Sequence, residues 1–134
     1  AYEIRPRDWS SDVCSSDLKH WLGKISPREA GRLLESCENW SSTNAADHDA
    51  MKATLLNQKL GLNRIPKYLD YPVAHKTGDV PPYIANDVGI VYAQSGPIVV
   101  SILTADSYGS PASIDESIAK ITKTIVDGFD SMPN

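Results

Sequence analysis

Apolar residues recur every three or four positions in two stretches of the first half of the chain, and this spacing predicts two helices. The first follows Ser26-Pro27-Arg28-Glu29, a capping box with proline at the first helical position, and should end before Asn39. The second should start near Asp47 as its cap and stop at Gly61. The expected apolar face of the first helix comprises Ala30, Leu33, Leu34 and Cys37, and that of the second comprises Met51, Leu55, Leu56 and Leu60.

From Pro72 onward the pattern changes to strands. Alternation over residues 73–78 has a period of two, which places Lys76 and Thr77 on opposite faces of a strand. Residues 88–93 and 98–104 are rich in β-branched side chains and are separated by Gln94-Ser95-Gly96-Pro97, which predicts a hairpin. Their nearly continuous apolarity indicates that helices cover both faces of the sheet, at least in part.

The last element is predicted to be a helix. Ser113-Ile114-Asp115-Glu116 has the form of a capping box, and apolar residues then recur at spacings of three and four. These apolar positions are Ile118, Ile121, Ile125, Val126 and Phe129. We therefore predict an α+β fold, in which a helical pair precedes a three-stranded antiparallel sheet and the C-terminal helix packs on that sheet.

Composition narrows the functional classes. The 134 residues are 41% hydrophobic and 22% charged, which is typical of a globular protein of about one domain. A formal charge of −4 argues against nucleic acid as a partner, because binding to phosphate needs a basic surface. No apolar stretch approaches the roughly 20 residues that a membrane-spanning helix requires. We expect a monomer with no membrane span.

Residues 1–18 form a segment of their own. Asp8 to Leu18 reads as the translation of a short-read sequencing adapter, and Ala1-Tyr2-Glu3-Ile4 fits the end of the matching primer. We therefore expect residues 1–18 to be non-native and residues 19–134 to be the C-terminal part of a longer domain. Outside this segment Cys37 is the only cysteine, and we expect it to be a buried structural thiol. No spacing of His, Cys, Asp and Glu predicts a metal site.

Lys76-Thr77-Gly78 is the most informative triplet. Taken alone, the triplet is well explained as a solvated charge at a strand end, a β-forming residue and a turn residue, in that order. Its context, Pro72 to Asp79 followed by Asn86-Asp87-Val88-Gly89-Ile90-Val91-Tyr92, resembles the C-terminal part of class A β-lactamases and related serine hydrolases. The segments 26–34 and 63–66 are similar to the same family. The likeness covers nearly everything after residue 22 and implies an incomplete β-lactamase or transpeptidase-like fold.

The family's chemistry, as this resemblance implies it, is acyl transfer through a serine nucleophile, without a cofactor or metal. Lys76 would supply positive potential for a substrate carboxylate, and Thr77 would offer its hydroxyl to that carboxylate. Gly78 would let the ligand approach the strand edge. The backbone N–H of Asp79 would be one of two oxyanion-hole donors. His75 is expected to support the strand rather than carry a proton.

The expected nucleophile is missing. The family's Ser-x-x-Lys motif should lie upstream of the triplet, yet the two such strings begin at Ser16 and at Ser117, and we interpret both as coincidences. The resemblance therefore implies a β-lactam-hydrolysing parent, secreted or periplasmic, and a chain that is inactive alone. Two alternatives remain open: a DD-peptidase or penicillin-binding relative acting on peptidoglycan peptides, and a non-catalytic domain that binds a cell-wall ligand or a partner.

Overall fold

The computed structural model describes residues 25–39, 45–80, 84–105 and 109–132. Within these ranges two helices precede three strands, and a long helix follows them, as the sequence predicts. In chain order the elements are α1 (Pro27–Glu38), α2 (Ala45–Leu56), β1 (Val73–Val80), β2 (Ile84–Ala93), β3 (Gly96–Ile102) and α3 (Pro111–Asp130).

The three strands form one antiparallel sheet in the order β1-β2-β3. Strand β2 begins at Ile84, four residues before the predicted start, because residues 84–87 pair with the end of β1. Gln94 and Ser95 form the turn into β3, and Gly96 follows with a φ of 117°, a conformation that favours glycine.

Both faces of the sheet are covered, as the apolar strands predict. One face packs against α3 and the connection before β1, and it contains the main hydrophobic core. The other face contacts α1 and α2. The fold is therefore a three-layer α+β arrangement around a small sheet. The fully or largely buried members of the core are Ile65, Val73, Val91, Ile98, Val100, Ile118 and Val126.

Helix α1 begins as predicted. The Ser26 hydroxyl accepts from the Glu29 N–H at 3.2 Å, while the Glu29 carboxylate accepts from the Ser26 N–H at 2.7 Å. The predicted apolar face is only partly correct, because Leu33 is 51% exposed. The helix approaches the sheet at Gly31. A Cβ added to Gly31 would lie 3.7 Å from Cγ1 of Val99. Cys37, expected to be buried, is only half-buried.

Helix α2 is shorter than predicted. It ends at Leu56, so Gly61 does not terminate it, although Gly61 does adopt a φ of 72°. Asp47 lies within the first turn rather than at a cap position. The Gln58 side-chain carbonyl accepts from the N–H groups of the next two residues at 2.9 and 3.2 Å, which turns the chain away from the helical path. Leu60 consequently lies outside the helix and is 68% exposed.

Helix α3 starts earlier than predicted. Pro111 occupies its first turn, and Ser110, not Ser113, is the N-cap, because the Ser110 hydroxyl accepts from the Ser113 N–H at 3.2 Å. The buried stripe also differs from the expected apolar one, since Ile121, Ile125 and Phe129 are exposed. The residues that α3 buries are Asp115, Ile118, Ala119, Thr122 and Val126.

Candidate active site

Strand β1 carries the triplet on a sheet edge that no strand covers among the described residues. The Pro72 carbonyl accepts from the Tyr92 N–H at 3.0 Å, and the register pairs Gly78 with Asn86. Hydrogen-bonded pairs alternate along an antiparallel ladder, so residues 72, 74, 76, 78 and 80 use their backbone groups to bind β2. The backbone N–H and C=O groups of Thr77 and Asp79 therefore point to the open edge.

Lys76 lies on the face that contacts α1 and α2, opposite to Thr77, as the alternation predicts. The Lys76 side chain is exposed, and its Nζ donates to the Thr77 carbonyl oxygen at 2.5 Å. The ammonium group thus lies at the open edge, beside backbone groups that β2 does not use. A cation and backbone donors that β2 does not bind are adjacent there.

Thr77 is only 8% exposed, on the face that packs against the connection before β1. Gly61 lies directly against it: a Cβ on Gly61 would be 2.4 Å from the Thr77 methyl carbon. Glycine is required at position 61 both by this contact and by the positive φ. Gly61, which does not end the helix, has instead the role of allowing the loop to close over Thr77.

Asp79, at the end of β1, is held by its side chain. Its Oδ1 accepts from Arg64 Nη1 at 2.7 Å, and the same nitrogen donates to the Asn86 carbonyl at 2.9 Å. Arg64 Nε donates to Asp115 Oδ1 at 2.6 Å. Burial alone lowers the pKa of Arg64, but the hydrogen bonds that it donates to Asp79 and Asp115 outweigh burial and raise that pKa above its usual value. Arg64 therefore stays cationic and joins the loop, β1, β2 and α3.

His75 and Asp87 form a second buried contact behind the triplet. His75 Nδ1 lies 2.9 Å from Asp87 Oδ1, and Asp87 Oδ2 accepts from the Ile65 N–H at 3.2 Å. A carboxylate can only accept, so this contact corresponds to the imidazole tautomer with its proton on Nδ1. Nε2 is buried with no hydrogen-bond partner among the described residues. The contacts place His75 in support of the strand.

Space for this imidazole comes from Gly89, which lies opposite it on β2. A Cβ at Gly89 would be 2.8 Å from the His75 Cβ and 2.9 Å from the Ala74 carbonyl oxygen. Both distances are far inside van der Waals contact, and one of the opposing atoms is backbone. Position 89 therefore requires glycine because β1 approaches it so closely.

The downstream Ser-x-x-Lys string does not reach this site. Ser117 Oγ donates to the Ser113 carbonyl within α3, and Lys120 pairs with Glu116 at 3.1 Å on an exposed helical surface. The upstream string at residues 16–19 lies outside the described residues, as does the segment 1–18. Within the described ranges, no cluster of three or more His, Cys, Asp or Glu residues could hold a metal ion.

An open groove lies elsewhere on the described part of the chain. A groove of about 740 Å³ runs between α1, β3 and α3, and it contains no residue of the triplet. Open, partly apolar grooves of this kind are common where a helix and a sheet meet incompletely, so the hydrogen-bonding geometry of β1 locates the candidate site better than cavity size does. None of the helices in the described part of the chain combines the length and apolarity needed to span a bilayer.

Sequence reasoning did not identify three of the residues that shape this region. Arg64 was recognised only as part of a similar segment, Asp115 only as part of a cap, and Asp87 only as part of the flanking pattern. Arg64 is the one that a sequence signal could have revealed, since an arginine directly before the apolar Ile65 and Pro66 invites a search for acidic partners.

Comparisons with known proteins agree with this fold. A class A β-lactamase from Bacteroides cellulosilyticus is 25% identical with a TM-score of 0.73, covering 80% of this chain and 42% of that protein. A β-lactamase from Chitinophaga pinensis is 25% identical with a TM-score of 0.73, covering 88% and 47%. The TLA-1 extended-spectrum β-lactamase is 21% identical with a TM-score of 0.73, covering 88% and 46%.

The chain thus spans less than half the length of these solved structures, and the fold it represents is incomplete. No curated protein matches it. A family model described as the β-lactamase enzyme family matches residues 10–129. The match begins inside the segment 1–18, and the boundary at residue 18 stays a prediction. Because the match extends over most of the sequence, the chain belongs to the β-lactamase enzyme family.

Proposed function

We propose that the complete protein is a serine hydrolase of the class A β-lactamase type and that this chain supplies one wall of its active site. The observation that carries the proposal is the open edge of β1. The Asp79 N–H points away from β2 there, close to the exposed ammonium group of Lys76. An anionic, amide-containing substrate needs such a combination of a cation and an unpaired backbone donor.

The reaction we propose is hydrolysis of the β-lactam amide through an acyl-enzyme. A serine outside this chain attacks the lactam carbonyl, its proton passes to a basic side chain, and the C–N bond of the ring breaks as the nitrogen is protonated. Water then hydrolyses the ester and releases the serine. No nucleophile for this step is proposed within the chain itself.

Each triplet residue has a separate role in this proposal. The Asp79 N–H donates to the oxyanion that develops on the carbonyl oxygen, and loss of one such donor typically costs about 3–4 kcal/mol of transition-state stabilisation. Lys76 attracts the substrate carboxylate, to which Thr77 donates from its hydroxyl. Gly78 leaves the edge free for the ligand. The proposed Thr77 role requires its hydroxyl to turn toward the edge, because its methyl group faces Gly61.

Turnover of a chromogenic cephalosporin tests the proposal. We expect the complete reading frame to hydrolyse it, Lys76→Ala to abolish most of that activity, and this chain alone to show none. Lys120→Ala is the matched control, since Lys120 is exposed on α3 and its ion-pair partner among the described residues is Glu116. Turnover by the chain alone that Lys76→Ala removes would contradict the proposal that it lacks a nucleophile.

The open edge also suits an extended peptide, which can add to a sheet as a further strand. A DD-peptidase would use the same surface for a peptidoglycan stem peptide. In that case the complete protein would cleave a D-Ala-D-Ala peptide and would be acylated by penicillin without rapid release. Binding of either ligand with no acylation would indicate a non-catalytic domain.

We further propose that the complete protein is exported, as is typical of its family, and acts as a monomer on a small molecule. Fractionation of cells that express the complete reading frame tests the first point, and light scattering tests the second. The source reads test the proposed boundary at residue 18: a gene that continues upstream without residues 1–18 supports it, whereas independent genomes that encode them would contradict it.

A further inference from the structure

Arg64 makes contacts that the proposed mechanism does not use. Its side chain is 10% exposed and bonds to three elements: the Asp79 carboxylate at the end of β1, the Asn86 carbonyl on β2 and the Asp115 carboxylate on α3. Asn63, its neighbour, donates to the other oxygen of Asp115 at 2.5 Å. A buried guanidinium that donates hydrogen bonds to several segments is a rigid cross-link, because the group is planar and always charged.

The location of this cross-link is specific. Gly78 pairs with Asn86, whose carbonyl also accepts from Arg64, so the contact lies immediately beside the peptide that joins Gly78 to Asp79. The N–H of this peptide is the group that points to the open edge. Beyond it β1 contains only Val80, and strand ends fray where few backbone bonds hold them. The Arg64–Asp79 ion pair therefore restrains the peptide that joins Gly78 to Asp79, near the end of β1.

Charge gives the same residue a second effect. The Asp79 carboxylate belongs to the residue whose N–H faces the edge, and its side chain is 38% exposed. An unpaired carboxylate at this place would oppose negative charge developing on a nearby oxygen. Arg64 neutralises it, although Arg64 is shared with Asp115. The ion pair is partly desolvated, so solvent weakens it less than it weakens a surface pair.

We propose that Arg64 is a positioning residue for acyl transfer: by pairing with the Asp79 carboxylate, it orients the Asp79 N–H and keeps its surroundings from repelling an oxyanion. This rests on the proposed function. Arg64 itself touches no substrate. Arg64 stabilises the transition state rather than the bound substrate, so its loss should lower kcat more than it raises KM.

A double-mutant cycle in the complete reading frame tests this role. Arg64→Met should lower kcat about tenfold or more, within the roughly 100-fold that misplacement of a catalytic group can cost, and should change KM little. In the Asp79→Asn background the same Arg64→Met step should cost clearly less than in the wild type, because only the hydrogen bond to the amide oxygen is lost and no carboxylate is left unpaired. Arg28→Met, which removes an exposed cation on α1, should leave kcat unchanged.

Equal losses for the Arg64→Met step in both backgrounds would overturn the proposal, since they would show that the charge of Asp79 is irrelevant. So would a loss confined to KM. If Arg64→Met fails to fold, Asp79→Ala against Asp79→Asn decides. The amide oxygen can still accept from Arg64 and the methyl group cannot, so Asp79→Ala should have the lower kcat, and equal values would overturn the proposal.

A readout without turnover separates this inference from the proposed function. If the complete protein hydrolyses no β-lactam, the function fails, and backbone amide NMR of the complete protein decides the positioning role. Arg64→Met should lower the heteronuclear NOE of the Asp79 amide while leaving that of Ala74 unchanged. An Asp79 amide that is equally ordered in both proteins would overturn the role of Arg64.

Discussion

His75 donates from Nδ1 to Asp87 Oδ1 across 2.9 Å, and both side chains are almost completely buried, with 1% and 0% exposure. The contact joins β1 to β2 one residue before Lys76. Asp87 also accepts from the Ile65 N–H, so a single carboxylate organises two strands and the connecting loop. A buried acceptor that serves two donors is a point at which truncation is costly.

Asp87→Ala should destabilise the chain, because it leaves the His75 and Ile65 donors buried and unpaired. Unsatisfied buried donors cost about 1–3 kcal/mol each, so we expect at least about 2 kcal/mol less free energy of unfolding in urea. Asp127→Ala, which removes an exposed carboxylate on α3, is the control and should change it by less than about 0.5 kcal/mol. Equal effects at the two positions would contradict the buried network.

Gly89→Ala should destabilise the protein by about 1–3 kcal/mol, because the added methyl group meets the Ala74 backbone as well as His75. Gly128→Ala provides the contrast. Nothing lies within 4 Å of a Cβ at that position, which is within α3, so the same change should stabilise the protein by about 0.5–1 kcal/mol. Thermal and urea unfolding measure both, and a shift of the same sign for both would contradict the close approach at Gly89.

The buried face of α3 can be tested with one residue type. Ile118 is 1% exposed and Ile121 is 48% exposed, although the sequence pattern assigns both to the apolar face. Ile118→Ala should cost about 2–5 kcal/mol of unfolding free energy, because it leaves a cavity in the core. Ile121→Ala should cost less than about 1 kcal/mol, and comparable losses would show that both side chains are buried.

Glu116 predicts a pH effect. Hydrogen bonds from Lys67, and then from Tyr68 and Lys120, lower the pKa of Glu116 from 4.5 to about 2. A carboxyl group with a depressed folded-state pKa contributes stability that is present above its unfolded pKa and is lost as the pH falls toward the folded value. Glu116→Gln should therefore lower the melting temperature at pH 6.

That difference in melting temperature should shrink as the pH falls from about 4.5 to about 2, because the wild-type carboxylate becomes protonated over this range. The group is partly exposed to solvent, so salt should also reduce the difference. Differential scanning calorimetry at several pH values measures it. A difference that stays constant or grows as the pH falls would contradict the depressed pKa of Glu116.

The number and type of the elements follow from local patterns. The Ser26 box and its proline specify the start of α1 through hydrogen bonds within four residues, so the sequence alone locates it. The alternation around Lys76 likewise determines that its side chain and that of Thr77 lie on opposite faces, because the strand period is two. The prediction for Ile121 was wrong because its exposure depends on what distant parts of the chain cover.

The sequence by itself determined the family resemblance, the triplet and the order of helices and strands, since these depend on neighbouring residues. The tertiary structure decided which polar groups became buried partners. Arg64 is separated by 15 positions from Asp79 and by 51 from Asp115, and a spacing of this size carries no periodic signal. The packing of α3 and the loop against the sheet brings these charges into contact. A buried guanidinium without an acidic partner would cost too much free energy, so Arg64 is buried together with Asp79 and Asp115.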